Sequence, residues 1–447
     1  MRRSAGDDTG WIAPAPASPR RPWPKVQLSP APAALVSARH PHGLFAVTDT
    51  LAIPAAAARP AVAPAALARP SLWLRGPLWD ALFMQNALWL VPVVLVLAAG
   101  QANPSAGPLD GLYFAITALF WIGHRLGSAW LAYATAAYRP LLKAEPVRFL
   151  VIPALVAILC FALLLPPDGA LPWTRAGRVI ALAIVDYGFS TWHFGAQHFG
   201  ALSLYRGRAG RSGSRAARRR DRAFALGVGG VLVFVADLLA GAVAYPGTWL
   251  GPLPAFVAAH QAPIRLAATL LLVAATAAML VAELAGPRRS LPRILYCLGL
   301  AAMVAVALRP RGLFPFLVIW TAQHWILALG LGAEAPSAEA PPLGRIAGAF
   351  HALNARPAAL LAFLMLVSVV ALPLFEVEAN WGTPGAAWYG DRIFGAFASA
   401  LRTSGWVPAL LALGFATGFN HYLLDRAVYR FSDPRVRTAA SALLTPR

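Results

Sequence analysis

Long apolar segments recur along most of this chain, and they constrain its fold more than any other feature of the sequence. Each is close to the ~20 residues that a helix needs to cross a bilayer. Only 13% of the residues are charged, whereas a soluble globular protein carries about 25%. The pattern predicts an all-α, polytopic transmembrane helix bundle. About ten spans are expected, at residues 78–99, 111–137, 148–166, 178–204, 223–243, 264–285, 291–308, 312–332, 357–376 and 406–429.

The N-terminal part of the chain has a different composition. Pro, Ala and Arg dominate residues 1–70, which contain no apolar run long enough to span a membrane. Such a composition is typical of a disordered or loosely attached N-terminal arm. The transmembrane helical domain is expected over 71–432, and 433–447 is expected to be a cytoplasmic tail. The stretch 392–403 is interpreted as an interfacial helix or an additional element.

Arginine placement predicts the orientation of the bundle. Basic residues concentrate at 206–222, 288–293 and 430–437, each after an even-numbered predicted span. The positive-inside rule places these segments and both termini in the cytoplasm, as in a multi-pass protein of the inner (plasma) membrane. The net charge of +20 then indicates topology rather than nucleic-acid binding, and the expected partners are membrane lipids. Contact between 206–222 and anionic lipid is a second interpretation.

Four histidines lie inside four separate predicted spans: His124, His193, His324 and His421. The spans that carry them are expected to run in the same direction, and each histidine is at a similar offset from the start of its span. Equal offset at about 1.5 Å per residue gives equal depth in the membrane. Ionisable groups inside a membrane are costly and usually functional. Provided that these spans are neighbours in the bundle, the pattern predicts a shared metal site near its middle.

The fourth predicted span carries a polar stripe. Asp186, Ser190, His193 and Gln197 are spaced i, i+4, i+7 and i+11, so they share one face of a helix. His198 lies about 140° around the helix from His193. It is therefore a further metal-ligand candidate, either at a different position or lining an exit at the cytoplasmic end.

Three charged residues are predicted to assist the histidines. Asp425 lies one helical turn after His421, where a carboxylate could hold the second ring N–H of a bound imidazole or be a ligand itself. Asp186 is assigned a similar orienting role. Arg125, next to His124, needs a counter-charge in the membrane, and Asp186 or Asp425 could supply it. Arg125 would balance charge or steady an oxyanion.

Several chemistries fit this set of residues. Imidazoles and carboxylates suit iron, zinc or copper, and two opposed histidines could also be axial ligands of haem. The chain contains no Walker A sequence, dinucleotide fingerprint, His-Glu-x-x-His or Gly-x-Ser-x-Gly motif. A metal-dependent membrane enzyme is the favoured interpretation. The alternatives are a proton-coupled transporter that uses the same His and Asp residues as a relay, a haem-binding electron carrier, and a non-catalytic membrane component.

The segment Trp192-His193-Phe194-Gly195, with lone histidines on the other predicted spans, resembles the Brp/Blh family of membrane carotene dioxygenases. The resemblance covers scattered positions. It implies a polytopic protein in which His124, His193, His324 and His421 hold a non-haem iron, as in the family that cleaves β-carotene to retinal. The resulting expectation is a non-haem iron oxidoreductase that acts on a lipophilic small molecule.

Overall fold

The described part of the protein begins after the N-terminal arm. The structure is a computed structural model, and it describes residues 71–99, 101, 107–211, 214–241, 251–286, 288–309, 313–337, 345–382 and 386–444. The predicted arm at 1–70 lies outside these residues.

Within these ranges the regular structure is entirely helical, as the sequence predicts. Short π-helical segments join some of the helices, at Asp80–Met84, Thr117–Trp121, Val147–Val151 and Gly227–Val231. The first half contains α1 (Pro77–Trp79), α2 (Ala87–Ala98), α3 (Pro108–Ile116), α4 (Ile122–Ala134), α5 (Arg139–Ala144), α6 (Ile152–Leu164), α7 (Arg175–Arg208), α8 (Arg215–Leu226), α9 (Leu232–Ala240) and α10 (Leu253–Ala259). The second half contains α11 (Gln261–Leu284), α12 (Leu291–Ala307), α13 (Leu313–Glu334), α14 (Arg345–Asn354), α15 (Pro357–Asn380), α16 (Tyr389–Phe394), α17 (Ala396–Thr403), α18 (Val407–Val428), α19 (Pro434–Ala439) and α20 (Ser441–Leu444).

Six helical segments are long and apolar enough to cross a membrane, and the bent pair Pro77–Met84 and Ala87–Ala98 could form a seventh. The predicted span 291–308 forms a shorter apolar helix, Leu291–Ala307, and is not among the six. The predicted spans 111–137 and 178–204 are helical but are not among them either. They carry His124 and His193 together with other polar residues, which lowers their hydropathy. The six segments are Val147–Leu164, Arg215–Ala240, Gln261–Leu284, Phe314–Glu334, Pro357–Asn380 and Val407–Val428.

Two of the apolar helices have faces that the protein does not cover. Leu270 and Leu271 on α11 are about 60% exposed, and Leu155 and Ile158 on α6 are similarly uncovered. Large contiguous apolar surface is rare on soluble monomers and marks contact with a membrane or a partner. These faces agree with a membrane protein whose outer helices contact lipid.

The centre of the bundle is formed by α4, α7, α13, α15 and α18. A glycine allows α4 and α15 to approach closely: a Cβ at Gly123 would lie 2.5 Å from the carbonyl oxygen of Leu364. At the same crossing the backbone N–H of Ile122 donates to the Ser368 hydroxyl at 3.0 Å. Small residues and hydrogen bonds of this kind are the usual means by which membrane helices associate.

The C-terminal tail packs against the bundle. Val436 of α19 and Ala440 are fully buried, and Arg208 Nη2 at the end of α7 donates to the carbonyl oxygen of Leu443 at 3.4 Å. Asp433 caps α19 by accepting from the backbone N–H of Arg435 at 2.9 Å. The hydrogen bond from the Arg435 side chain lowers the pKa of the Asp433 carboxyl.

The stretch 392–403 is helical, and it forms the end of α16 and the whole of α17.

The close approach of α4 and α15 can be tested with a matched pair of glycine substitutions. Gly123→Ala places a methyl group against the Leu364 carbonyl, and overpacking of this kind costs about 1–3 kcal/mol. Gly127→Ala is the control on the same helix, because a Cβ there has no atom within 4 Å. It should be neutral or stabilising by up to about 1 kcal/mol. Thermal unfolding in detergent measures both variants, and equal midpoints would contradict the close crossing.

Candidate metal centre

The structure brings four histidines together in the centre of the bundle. His124 comes from α4, His193 from α7, His324 from α13 and His421 from α18, and each is at most 5% exposed. Neighbouring ring centroids around the group are 4.9, 5.0, 4.9 and 4.7 Å apart, in the order 124–324–193–421. The diagonal from His324 to His421 is 6.1 Å. The imidazoles therefore form a compact four-membered group contributed by four different helices.

Two of the imidazoles are held by hydrogen bonds at Nδ1. His324 Nδ1 lies 2.6 Å from the Gln197 side-chain oxygen, and His124 Nδ1 contacts the backbone carbonyl of Trp121. Both partners are oxygens that only accept, so Nδ1 carries the proton in each ring. The unprotonated Nε2 of His124 and of His324 is then available as a ligand atom. Such tautomer control is typical of metal-binding histidines.

The other two imidazoles lie on either side of Asp425. One carboxylate oxygen is 3.6 Å from His193 Nε2, and the other is 3.8 Å from His421 Nδ1. His421 Nδ1 also lies 3.4 Å from the Ser128 hydroxyl. Asp425 can therefore be a direct ligand, or it can orient both rings.

Buried nitrogen atoms without partners indicate that the group can hold a metal ion. The Nε2 atoms of His193 and His421 are buried and have no hydrogen-bond partner among the described residues. A buried polar atom without a partner costs free energy, and a metal ion would remove that cost. In each of two sets of three residues, the ligand atoms all lie within 4.8 Å of one another. They are His124, His324 and His421, and His193, His421 and Asp425.

His198 lies apart from this group. It is fully buried, and its Nδ1 lies 2.7 Å from the Tyr296 hydroxyl on α12. Among the described residues it belongs to neither set of converging ligand atoms. The rotation of about 140° between His193 and His198 on a regular helix accounts for this separation. The structure therefore places this ligand candidate on the face of α7 that packs against α12.

Arg125 has a partner that the sequence analysis missed. Its Nη1 lies 3.0 Å from a carboxylate oxygen of Glu378 and donates to the Gly414 carbonyl oxygen at 3.2 Å. The expected ion-pair partners were Asp186 and Asp425. Glu378 was missed because the ninth span was expected to end at residue 376, whereas α15 continues to Asn380. The last turn of α15 thus supplies the counter-charge.

Asp186 lies beside this ion pair rather than against an imidazole. A Cβ at Gly418 would be 3.5 Å from Asp186 Oδ1 and 3.6 Å from Arg125 Cζ, so both side chains flank the same glycine. Asp186 is therefore a member of the Arg125–Glu378 cluster, two helical turns from His193.

Sequence reasoning did not assign roles to two residues that hold the histidines. Gln197 was noticed only as part of the polar stripe on α7, although its spacing of one turn from His193 was the available signal. Ser128 follows His124 by one turn, yet it contacts His421 across the interface between α4 and α18. Contacts between helices of this kind depend on which helices are neighbours.

Aromatic rings surround the histidines. The Phe194 ring lies 4.0 Å from that of His324, the Tyr422 ring 5.0 Å from that of His193, and the Trp325 ring 5.8 Å from that of His124. This wall keeps the site apolar around its nitrogen ligands. A chemistry that needs a dry centre and a lipophilic reactant is compatible with it.

No family model, curated protein or solved structure matches this chain.

The role of Gln197 can be tested by removing its side-chain oxygen. Gln197→Leu leaves the His324 Nδ1–H without its acceptor, and loss of such an orienting partner typically lowers metal affinity about 10–100-fold. Gln323→Leu is the control, because Gln323 is buried next to His324 but its side-chain oxygen has no hydrogen-bond partner. Titration of the purified apoprotein with ferrous or zinc ion measures the affinity. Equal affinities in the two variants would contradict the role.

The Arg125–Glu378 pair makes a separate prediction about stability. Glu378→Ala leaves a guanidinium that is only 11% exposed without its carboxylate, and breaking a buried pair costs about 3–5 kcal/mol. Glu145→Ala removes a partner of Arg148 and Arg435 at the surface, where ion pairs contribute about 0–1 kcal/mol. Denaturant unfolding in detergent compares the variants. A cost below about 1 kcal/mol for Glu378→Ala would show that the pair does not stabilise the bundle.

Proposed function

We propose that the protein is a metal-dependent membrane enzyme, specifically a non-haem iron oxidoreductase that acts on a lipophilic substrate. The observation that supports this most directly is the group of four buried imidazoles, two of which have Nε2 atoms without partners. Each of four helices contributes one histidine to this group inside an apolar bundle. Simple helix-to-helix hydrogen bonding would not require four rings in a closed group whose neighbouring centroids are about 5 Å apart.

The proposed ligands are His124, His193, His324 and His421, with Asp425 as an additional ligand or an orienting group. Nitrogen and oxygen donors suit iron, zinc and copper. Haem is less compatible, because a porphyrin plane between His324 and His421 would occupy the same space as the other two imidazoles, which lie within 5.0 Å of both. Iron is preferred to zinc because the aromatic surroundings suit an apolar substrate and dioxygen rather than hydrolysis.

The side chains around the site would each have a defined task. When bound, the metal would supply the centre at which dioxygen is activated. Gln197 and the Trp121 carbonyl hold the protons on Nδ1 of His324 and His124, so that Nε2 of each ring faces the centre. Asp425 orients His421 and His193. Phe194, Trp325 and Tyr422 exclude water from the reaction.

Arg125 and its carboxylates would set the charge next to the site. The guanidinium is adjacent to His124 and is balanced by Glu378 at 3.0 Å. Asp186 and Arg125 both flank Gly418. Arg125 would steady an oxyanion beside the site without entering the coordination sphere, while the two carboxylates balance its charge.

The membrane topology is part of the proposal. The ten spans would be the bent α1–α2 pair, α3–α4, α6, α7, α8–α9, α11, α12, α13, α15 and α18. Arg206 of α7, Asp221 of α8 and Arg293 of α12 meet in one cluster, which supports placing the arginine-rich ends of these helices on one side. Both termini would then be cytoplasmic, in a multi-pass protein of the plasma membrane.

A proton-coupled transporter is the second candidate. The partly buried Asp425 lies between His193 and His421. Asp186 and Glu378, also partly buried, lie beside Arg125. Membrane carboxylates and imidazoles form proton relays in carriers. In that case the imidazoles would titrate and would hold no metal.

Elemental analysis of the detergent-purified protein distinguishes these functions. We expect near-stoichiometric iron in the wild type and its loss in both His193→Ala and His421→Ala. His260→Ala is the control, because His260 is exposed and its Nδ1 contacts the Phe256 carbonyl oxygen outside the site. Equal metal content in all four proteins would exclude the metal site and favour the relay. A Soret band would instead identify haem, and zinc would point to hydrolysis.

A further inference from the structure

The first helix after the long α7 presents one face made of arginine. On α8 the arginines are spaced i, i+3, i+4 and i+7, and all are exposed. The opposite face contains Ala217, Asp221 and Phe224, which are buried. The spacing places the four guanidinium groups along one stripe of the helix. The arginine face consists of Arg215, Arg218, Arg219 and Arg222.

A buried carboxylate fixes α8 in this orientation. Asp221 is fully buried and pairs with Arg206 Nη1 of α7 at 2.5 Å. Arg293 of α12 donates to the same carboxylate through Nη1 at 3.1 Å and also through Nη2. Because Asp221 is already bound from inside the bundle, it cannot neutralise the arginine face on the outside.

A second buried carboxylate, that of Glu283, also pairs with arginines inside the bundle. Glu283 at the end of α11 pairs with Arg293 Nε at 2.6 Å, Arg211 Nη1 at 2.9 Å and Arg220 Nη2 at 3.8 Å. With Asp221, two carboxylates thus face four arginines, so the internal cluster itself has an excess of positive charge. The outer arginines gain no counter-charge from this network.

The arginine face lies at the end of apolar helices. α8 is the beginning of the apolar segment Arg215–Ala240, and Glu283 is next to the last residue of the apolar helix Gln261–Leu284. Arg288 and Arg289, after α11, are also exposed. If these segments span the membrane, the exposed guanidinium groups lie at the level of the lipid headgroups. Anionic headgroups attract basic residues at that level.

We propose that the arginine face of α8 binds the phosphate groups of anionic phospholipids in the adjoining leaflet. Guanidinium groups match phosphate oxygens in bidentate geometry. The buried Asp221 cluster holds the four groups in one row before any ligand arrives. Continuity with two apolar helices favours lipid over a nucleic acid, which would need the face to project into the aqueous phase. The site is separate from the four histidines and does not depend on their proposed function.

The test compares lipid association in full-length protein reconstituted in phosphatidylcholine vesicles. Spin-labelled phosphatidylglycerol and spin-labelled phosphatidylcholine are added separately, and the immobilised fraction of each probe is measured by electron paramagnetic resonance. The wild type should prefer phosphatidylglycerol, and the preference should weaken with added salt because exposed charges are screened. Replacing Arg215, Arg218, Arg219 and Arg222 with Gln should lower the preference by about fivefold or more, since each arginine near an anionic surface contributes a factor of that size.

Two control variants make the result specific. Replacing the same four arginines with Lys keeps the charge and should retain most of the preference. A charge-matched control replaces Arg139, Lys143, Arg356 and Arg430, which are all exposed on other elements, with Gln. It should lower the preference much less than the α8 glutamine variant does, because its four groups are scattered rather than in one row. Thermal unfolding confirms that the α8 variants remain folded, as expected because the substituted groups lie outside the Asp221 and Glu283 clusters.

Four outcomes would overturn the proposal. The preference could be equal in the wild type and the glutamine variant, or it could fall equally in the charge-matched control. Inorganic phosphate at constant ionic strength could abolish it, which would identify free phosphate as the ligand. A short RNA could displace phosphatidylglycerol at low concentration, which would assign the face to nucleic acid.

Discussion

Burying four imidazoles in an apolar bundle is the constraint on which the centre of this structure depends. Each ring loses its hydration, and an unpartnered nitrogen in such surroundings costs free energy. The protein satisfies part of this need with the Gln197 oxygen, the Trp121 carbonyl and Asp425. The Nε2 atoms of His193 and His421 have no hydrogen-bond partner among the described residues, although an Asp425 oxygen lies 3.6 Å from the former. A metal ion would complete these interactions, and the proposed function follows from that requirement.

Charged side chains inside the bundle also have partners, in two other clusters. Beside the histidines, Arg125 pairs with Glu378 on a helix far away in sequence. At the ends of α7, α8, α11 and α12, Asp221 and Glu283 are fully buried and are surrounded by arginines. Carboxylates thus add ion pairs to the other contacts between these helices. The second cluster also leaves the outer arginines of α8 free to contact anionic lipid.

The helical fold and the similar offsets of the four histidines along their helices could both be predicted from sequence. Helical rise is constant, so equal offsets along parallel helices become equal depths. The same periodicity predicted that His198 faces away from His193. Helix ends were less accessible: the ninth span was expected to stop at residue 376, and Glu378 in the last turn of α15 was therefore overlooked. Gln197 was placed on the correct stripe, yet its bond to His324 depends on the packing of α7 against another helix.

Sequence by itself determined that the chain forms apolar helices with single histidines at similar offsets along them and arginines near their ends, because these properties depend only on composition and helical period. Tertiary structure alone decided which helices are neighbours. The packing of the helices pairs Arg125 with Glu378, places Asp425 between His193 and His421, and separates His198 from the group. The physical reason is that contacts between helices depend on close approach at residues such as Gly123, and the pattern within one helix carries no information about the residues that it meets.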